Sequence, residues 1–171
     1  MTRLLAIDPG NLESAYVVID ADTRRPIHFD KVPNPDLLDA LDGLSANASI
    51  AHIEMVASYG MPVGAEVFET CVWIGRYLQR LDDLHVITCL TKRQPVKLHH
   101  CHHPRATDAT VRQALVDRFA PGERNHGKGT KANPGWFYGF RADVWQAHAL
   151  AVYAADLQHH GTHTTPEEAP F

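Results

Sequence analysis

The sequence predicts an α/β fold in which one mixed β-sheet is flanked by helices. Two observations predict it: apolar runs of strand length come first, and helical spacings then alternate with further short runs. Gly, Pro, Asn and Asp residues separate these segments, as expected of turns. The 171 residues have the length of one domain with a sizeable core. We therefore expect one domain over residues 1–158, followed by a flexible tail over 159–171.

Three apolar runs at the beginning of the chain predict a meander of antiparallel strands. The first, Arg3 to Asp8, ends at Pro9-Gly10, and the others cover residues 14–20 and 26–32. The remaining predicted elements are helices over 34–44, 63–81, 107–119 and 142–158, and strands over 49–54 and 85–90. Asn34 and Thr107 are predicted to cap the helices that they precede or begin. Residues 121–139, rich in Gly, Pro and Lys, are predicted to form a loop.

The charges are distributed unevenly along a chain whose net charge is −4. Residues 1–91 carry 6 basic and 13 acidic side chains, whereas residues 92–141 carry 10 basic and 3 acidic ones. Residues 142–171 carry 4 acidic side chains and no basic one. A basic block inside an acidic protein is typical either of a solvated surface or of a surface that binds a polyanion.

Several classes of protein are disfavoured by the composition. The sequence has no run of eighteen apolar residues, which disfavours a membrane span, and no apolar signal-peptide segment follows Met1. Its three scattered cysteines indicate a reducing compartment and not a disulfide framework. We therefore expect a cytoplasmic protein.

Three acidic residues stand at the ends of predicted elements. Asp8 ends the first strand, Glu54 ends the fourth, and Asp143 opens the Ala-rich last helix. Carboxylates at the C-terminal edge of adjacent strands have rigid supports and can converge. Each acid alone is ordinary at the end of a strand or helix, but the three together predict a catalytic site.

The chemistry of three convergent carboxylates favours a divalent metal ion. Like charges repel one another unless cations neutralise them, and oxygen ligands prefer hard ions such as Mg²⁺ or Mn²⁺. Two such ions about 4 Å apart activate a water and stabilise the leaving oxygen in phosphodiester cleavage. Asp8, Glu54 and Asp143 are therefore predicted to be metal ligands and catalytic residues.

Four segments resemble, in order, the motifs of the RuvC family of Holliday-junction resolvases, most closely its phage and prophage branch. They are Leu5-Ala6-Ile7-Asp8-Pro9-Gly10 with the strand after it, Ile53-Glu54 before a long helix, residues 105–115, and Ala142-Asp143 with residues 146–151. Residues 129–139 also have counterparts in that branch. The resemblance covers residues 3–157. Its first motif is shared with sugar kinases and actin-like ATPases, but the four in order are far more specific.

The resemblance implies an RNase H-like fold, with a five-stranded sheet of three antiparallel strands and then two parallel ones. It implies an endodeoxyribonuclease of recombination and repair that nicks Holliday junctions, leaving 5′-phosphates, with two Mg²⁺ ions per active site, for which Mn²⁺ can substitute. It also implies a homodimer through the predicted helix 63–81. Paired nicks in strands of like polarity need two active sites related by a twofold axis.

The sequence departs from the family at one position. The family commonly has a fourth acid three residues after the third, and this chain has Gln146 there. His148 is the other accessory candidate, but it lies five residues after Asp143, about 140° away around a helix. We therefore interpret Gln146 as a neutral group beside the metals.

Basic and aromatic side chains near these motifs are predicted to bind DNA. Lys97 matches a basic residue that the family places near the scissile phosphate, and Tyr59 lies in the loop that the family inserts at the junction centre, where a ring can stack on a base. The candidates for phosphate contacts are Lys92, Arg93, Lys97, Arg105, Arg112, Lys128 and Lys131.

The run His99-His100-Cys101-His102-His103 raises the possibility of zinc. Zinc sites combine two separated pairs of ligands, whereas adjacent side chains diverge, so two of these at most share one ion. The favoured interpretation is a partly charged loop that faces DNA.

Three alternatives stay open at this point. The same acids serve a less selective nuclease that acts on flaps or RNA–DNA hybrids, and Gln146 is compatible with an inactive protein that only binds branched DNA. An actin-like ATPase is the weakest, because 171 residues do not supply two lobes and a second phosphate loop.

Overall fold

Five strands form one mixed sheet in the order β3-β2-β1-β4-β5. The strands are β1 (Arg3–Asp8), β2 (Glu13–Asp20), β3 (Pro26–Pro33), β4 (Ala48–Met55) and β5 (Ile87–Lys92). β2 pairs antiparallel with both β1 and β3, whereas β4 pairs parallel with both β1 and β5. The predicted sheet of three antiparallel and then two parallel strands is confirmed.

Five helices cover the two faces of this sheet in the computed structural model, which describes residues 2–58, 60 and 62–161. They are α1 (Asn34–Ser45), α2 (Ala65–Asp83), α3 (Arg93–Cys101), α4 (Asp108–Phe119) and α5 (Val144–Gly161). The last helix thus extends three residues beyond its predicted end. Tyr59 and residues 162–171 of the predicted tail lie outside the described residues.

The central strand β1 is apolar on both faces because a separate core packs against each. Leu4 and Ala6 belong to the core under α5, whereas Leu5 and Ile7 belong to the core under α1 and α2. The alternation of side chains along a strand directs successive residues to opposite faces. Leu4 to Ile7 are fully buried, and Asp8 follows them as the last residue of β1.

α5 lies across β1 and β2 and is buried along most of its length. Its alanines, among them Ala147, Ala151 and Ala154, are almost fully buried. Small side chains let a helix approach a sheet closely, and this close packing fixes the position of Asp143, one residue before the helix.

Two predictions about residues 84–103 were wrong. The fifth strand is shifted by two residues, because α2 continues to Asp83 and His85 adopts a positive φ of 58° before the strand begins. Residues 93–101 form the helix α3, which includes His99, His100 and Cys101 of the run that we expected to be a DNA-facing loop. The shift places Arg93 directly after β5, at the same sheet edge as Asp8 and Glu54.

The segment that follows α4 is irregular, as predicted, and aromatic side chains anchor it. Trp136 stacks on Phe119 with ring centroids 5.0 Å apart, and Phe137 is fully buried against Phe140 and Trp145. This anchoring holds the chain that leads into Asp143 against the core.

None of the helices in the described residues is long and apolar enough to cross a membrane.

Candidate active site

Asp8 and Glu54 lie side by side at the carboxyl edge of two parallel strands. Ile7 of β1 pairs with Ile53 of β4, so the next residue of each strand is the acid. Both carboxylates are largely buried, with 11% and 14% of their side chains exposed. The structure therefore brings these two acids together, as we expected.

Arg93 places a guanidinium between the two carboxylates. Its Nε lies 2.8 Å from Glu54 Oε1, and its Nη2 lies 3.6 Å from Asp8 Oδ2. The Nε–H is poorly aligned with the Glu54 oxygen and has no hydrogen-bond acceptor, so the short contact is an ion pair only. We expected Arg93 on a DNA-binding surface, and its inward contact with both acids was missed.

The electrostatic environment favours a cation at this position. Burial, followed by the charge of Glu54, raises the pKa of Asp8 well above its usual range, although Arg93 acts in the opposite direction. Burial also raises the pKa of Glu54, again against Arg93. Two buried carboxylates this close are costly to ionise together without a positive partner.

Asp143 stands at the N-terminus of α5 and is half exposed. Its carbonyl accepts the first helical hydrogen bonds, from the amides of Gln146 and Ala147. Its carboxylate accepts a 2.7 Å hydrogen bond from Lys31 Nζ of β3, and this bond raises the pKa of Lys31. The charge of Asp143 also raises the pKa of Asp8, which places it within electrostatic range of the pair.

A fourth acid, Asp108, borders the same region and was not predicted. It is the first residue of α4, and its carboxylate lies 3.9 Å from Arg93 Nη1 and 3.6 Å from Lys97 Nζ. It lines one cleft together with Arg112, Asp143 and Gln146. It directly follows the predicted cap Thr107 and lies within the family-like segment 105–115, but neither signal marked it as part of the site.

A buried polar network supports the turn that follows Asp8. Asn34 Nδ2 donates to the Gly10 carbonyl at 2.9 Å, and Ser14 Oγ donates to Asn34 Oδ1 at 2.6 Å. The Tyr77 hydroxyl lies 3.1 Å from both Ser14 Oγ and Asn34 Oδ1. The prediction that Asn34 caps α1 was wrong: Pro33 occupies the cap position, and the Asn34 side chain serves this network instead.

The two accessory candidates of α5 point in different directions. Gln146 lines the cleft with Asp108 and Asp143. His148 is completely buried, its ring centroid lies 5.3–6.0 Å from those of Phe119, Phe137 and Phe140, and neither ring nitrogen has a hydrogen-bond partner. This geometry disfavours His148 as a ligand beside Asp143.

Some of the predicted DNA-binding residues line clefts at the acids, and the others do not. Arg93, Lys97 and Arg105 line a basic cleft beside Glu54, and Arg112 lines the neighbouring cleft with Asp143. Lys92 ends β5 on the exposed side of that edge. Within the described part of the chain, Lys128 and Lys131 form no ion pair and lie in the irregular segment after α4.

The histidine run is used for packing. His99 Nε2 lies 2.8 Å from the buried Asp156, and His100 Nε2 lies 2.8 Å from the Ala149 carbonyl of α5. Both rings therefore face α5, and burial lowers the pKa of His100 to about 4. The expected DNA-facing role does not fit His99 and His100.

The donor set around Asp8 fits a hard divalent cation in its chemistry. The carboxylates of Asp8 and Glu54 offer oxygen atoms, which hard cations prefer. Their burial and mutual repulsion favour a positive charge beside them. In residues 2–58, 60 and 62–161, however, no three His, Cys, Asp or Glu side chains converge closely enough to hold one ion. Arg93 pairs with Asp8 and Glu54, and Lys31 pairs with Asp143, so metal binding would require these cations to move aside.

Comparisons with known structures place the fold. Neither family models nor curated protein sequences give a match. The structure of Thermus thermophilus RuvC matches with a TM-score of 0.68 at 16% identity, covering 94% of this chain and 98% of that chain. T. thermophilus RuvC in complex with a Holliday junction substrate matches with a TM-score of 0.65 at 14% identity, covering 95% and 98%. The chain therefore has the RNase H-like fold that the sequence motifs implied.

Proposed function

We propose that this chain is a divalent-metal-dependent endonuclease that nicks four-way or other branched DNA and works as a homodimer in the cytoplasm. The observation that carries the proposal is the pair Asp8 and Glu54, buried side by side at the edge of two parallel strands and neutralised by one cation. Asp143, at the start of the helix packed beside them, completes the set of ligands.

The metal ions would be Mg²⁺, or Mn²⁺ in its place. Asp8 and Glu54 would hold them on the rigid strand ends, and Asp143 would approach from α5 once Lys31 releases it. When bound, the ions would supply activation of the attacking water and stabilisation of the leaving 3′ oxygen, and the product would carry a 5′-phosphate. Burial of Asp8 and Glu54 keeps these carboxylates fixed and partly dehydrated, which strengthens their attraction for a dication.

The basic cleft beside Glu54 supports a DNA substrate. Lys97 and Arg105 line it together with Arg93, within one helix and loop of the carboxylates. Side chains of this kind bind phosphates without reading sequence. Because one of the fold neighbours, T. thermophilus RuvC, was solved with a Holliday junction substrate, we extend the proposal to branched DNA.

The exposed face of α2 supports the homodimer. Phe68 and Val72 are 63% and 57% exposed. They lie one turn apart on α2, so they form one apolar stripe. Leu12, also exposed, lies beside Val72 along one shallow cleft. An apolar stripe of this kind is typical of a surface that another chain covers. The three free cysteines agree with a reducing compartment.

The test is cleavage of a synthetic immobile four-way junction, compared with a linear duplex of the same sequence, in Mg²⁺ and in Mn²⁺. We expect symmetric nicks in the junction only, lost in Asp8→Asn while junction binding persists. Asp39→Asn, an exposed acid on α1, is the matched control and should cleave normally.

Two results would change the conclusion. Tight junction binding without cleavage in either metal would identify an inactive DNA-binding protein. Equal cutting of the linear duplex would keep the metal site and remove the junction selectivity.

A further inference from the structure

The segment between α4 and α5 carries basic charge on an unusual backbone that the proposed cleavage chemistry does not use. Residues 124–141 contain four Lys and Arg side chains and no acidic one. We propose that residues 128–135, which we term the basic hairpin, form a prefolded contact for the phosphates of a DNA duplex arm beside the cleft that Asp143 lines. The inference rests on the proposed function, because it assigns a further surface to the same DNA substrate.

Main-chain hydrogen bonds close the basic hairpin. Gly129 and Pro134 form an antiparallel bridge, and the Gly135 amide donates to the Lys128 carbonyl at 2.9 Å. The tip, residues 130–133, is exposed on every residue. The hairpin therefore extends into solvent with a backbone that its own hydrogen bonds define.

Glycines allow the chain to fold this tightly. A Cβ at Gly129 would overlap the Asn133 carbonyl oxygen, and a Cβ at Gly135 would overlap the Gly127 carbonyl oxygen. Gly129 also has a φ of 66°, which side chains with a Cβ rarely adopt. Since the overlapping atoms belong to the backbone, any larger residue at these positions would open the hairpin.

The chain enters the hairpin through strained backbone that packing holds in place. Asn125 and His126 have positive φ values of 52° and 54°. Gly127 follows and is buried against Ala120 and Phe137. Strained residues persist where the surroundings enforce them, and they are concentrated at functional sites. A loop that only had to be solvated would need neither the strain nor the packing, so this construction favours a role that depends on shape.

The two lysines of the hairpin are available to an anion. Lys131 is exposed at the tip and Lys128 is half-buried, and neither side chain forms an ion pair or a hydrogen bond with the described residues. The base of the hairpin lies beside the candidate site: the ring centroid of His126 is 6.5 Å from that of Trp145, and Trp145 lines one cleft with Asp143. Lysines bind phosphates without reading bases.

The composition of the tip favours paired over unpaired DNA as the partner. Proteins that bind single strands stack successive bases on aromatic side chains. Residues 130–133 contain no aromatic ring, and the tip offers only small side chains beside Lys131. The basic hairpin therefore fits the outer phosphates of a duplex arm.

The experiment measures how salt weakens binding to the immobile four-way junction, in EDTA so that the DNA stays uncut. Lys128→Gln/Lys131→Gln should lower the slope of log affinity against log salt concentration by about 2, because each lost phosphate contact removes about 0.9. Arg3→Gln is the control for charge. It removes a cation at the opposite end of β1 from Asp8, so the slope should not change.

A pair of glycine variants tests the prefolded shape separately from the charge. Gly129→Ala keeps both lysines but its Cβ would overlap the Asn133 carbonyl oxygen, so it should lose most of the affinity that the double lysine variant loses. Gly122→Ala is the matched control: Gly122 has a φ of 75° but open space for a Cβ, so binding should stay normal. Should Gly129→Ala fail to fold, Thr130→Ala replaces it, because it removes the 3.1 Å hydrogen bond from the Asn133 amide to Thr130 Oγ1.

The outcomes separate this inference from the proposed function. If the wild type binds and cleaves the junction while the double lysine variant keeps the full slope, the hairpin does not contact DNA and the inference is overturned alone. Normal binding by Gly129→Ala would also overturn it, since a fixed shape would then be unnecessary. A wild-type chain that binds no junction even at low salt would overturn both.

Discussion

Arg93 contacts both Asp8 and Glu54, so a side chain of the same chain neutralises the two most buried acids of the site. Lys31 does the same for Asp143. These internal cations offset the cost of burying charges of one sign. If the proposed metal ion binds, it competes with Arg93 for the same oxygens.

Replacing Arg93 by glutamine tests this competition. Without Mn²⁺, Arg93→Gln should lower the free energy of unfolding by about 2 kcal/mol, less than a fully buried pair costs because 36% of the Arg93 side chain is exposed. Added Mn²⁺ should then raise the melting temperature of the variant more than that of the wild type. Arg80→Gln, which breaks the exposed pair with Asp42, is the control. Equal Mn²⁺-induced shifts in wild type and Arg93→Gln would show that the guanidinium does not occupy the metal position.

His148 makes stability depend on pH. Burial lowers its pKa from 6.5 to about 3, so near neutral pH neither state is charged, and at lower pH only the unfolded chain binds the proton. Stability is therefore complete above pH 6.5 and falls as the pH approaches 3, by about 2 kcal/mol at pH 5 from this residue. His148→Leu should remove that part of the loss, measured by urea unfolding at pH 7.5 and pH 5, while replacement of the exposed His28 by glutamine should not. A variant with the full wild-type loss at pH 5 would exclude His148 as its source.

At the scale of helices and strands, apolar patterning predicted most of the fold. β1 was predicted at its observed bounds, and Thr107 caps α4 as expected, because each signal is local in sequence. The helix α3 was missed because its histidines look polar in the sequence, whereas His99 and His100 in fact bond to Asp156 and Ala149 of α5. Such partners are distant in sequence, so no local pattern reveals them.

The same limit applies to the site. Asp8, Glu54 and Asp143 were predicted because each stands at the end of an apolar element. Arg93 was placed among the phosphate-binding residues, because its ion pairs with Asp8 and Glu54 join side chains that lie far apart in the sequence. Asp108 reaches the site only through the packing of α4.

The network around Asn34 joins four elements behind the turn that follows Asp8. Its hydrogen bonds connect the Gly10 turn, β2, α1 and α2, and both Asn34 and Tyr77 are fully buried. Asn34→Ala leaves several buried groups without partners and should cost about 2–3 kcal/mol in urea unfolding. Asn47→Ala, at an exposed position in the turn between α1 and β4, should cost almost nothing. If the two variants are equally stable, the network does not support the turn after Asp8.

At the scale of the whole molecule, Arg93, Lys97 and Arg105 line a cleft at the candidate site, whereas α2 presents an exposed apolar stripe. If α2 forms the dimer interface, a charge in the middle of that stripe should separate the protomers, because burying an unpaired carboxylate is costly. Phe68→Glu should therefore sediment as a monomer at micromolar concentration, bind Mn²⁺ like the wild type, and lose paired junction nicks. Leu157→Glu, which alters an exposed leucine of α5, should remain dimeric. A monomeric wild type would instead favour a nuclease that makes single nicks in flaps or hybrids, with the same carboxylates and no twofold axis.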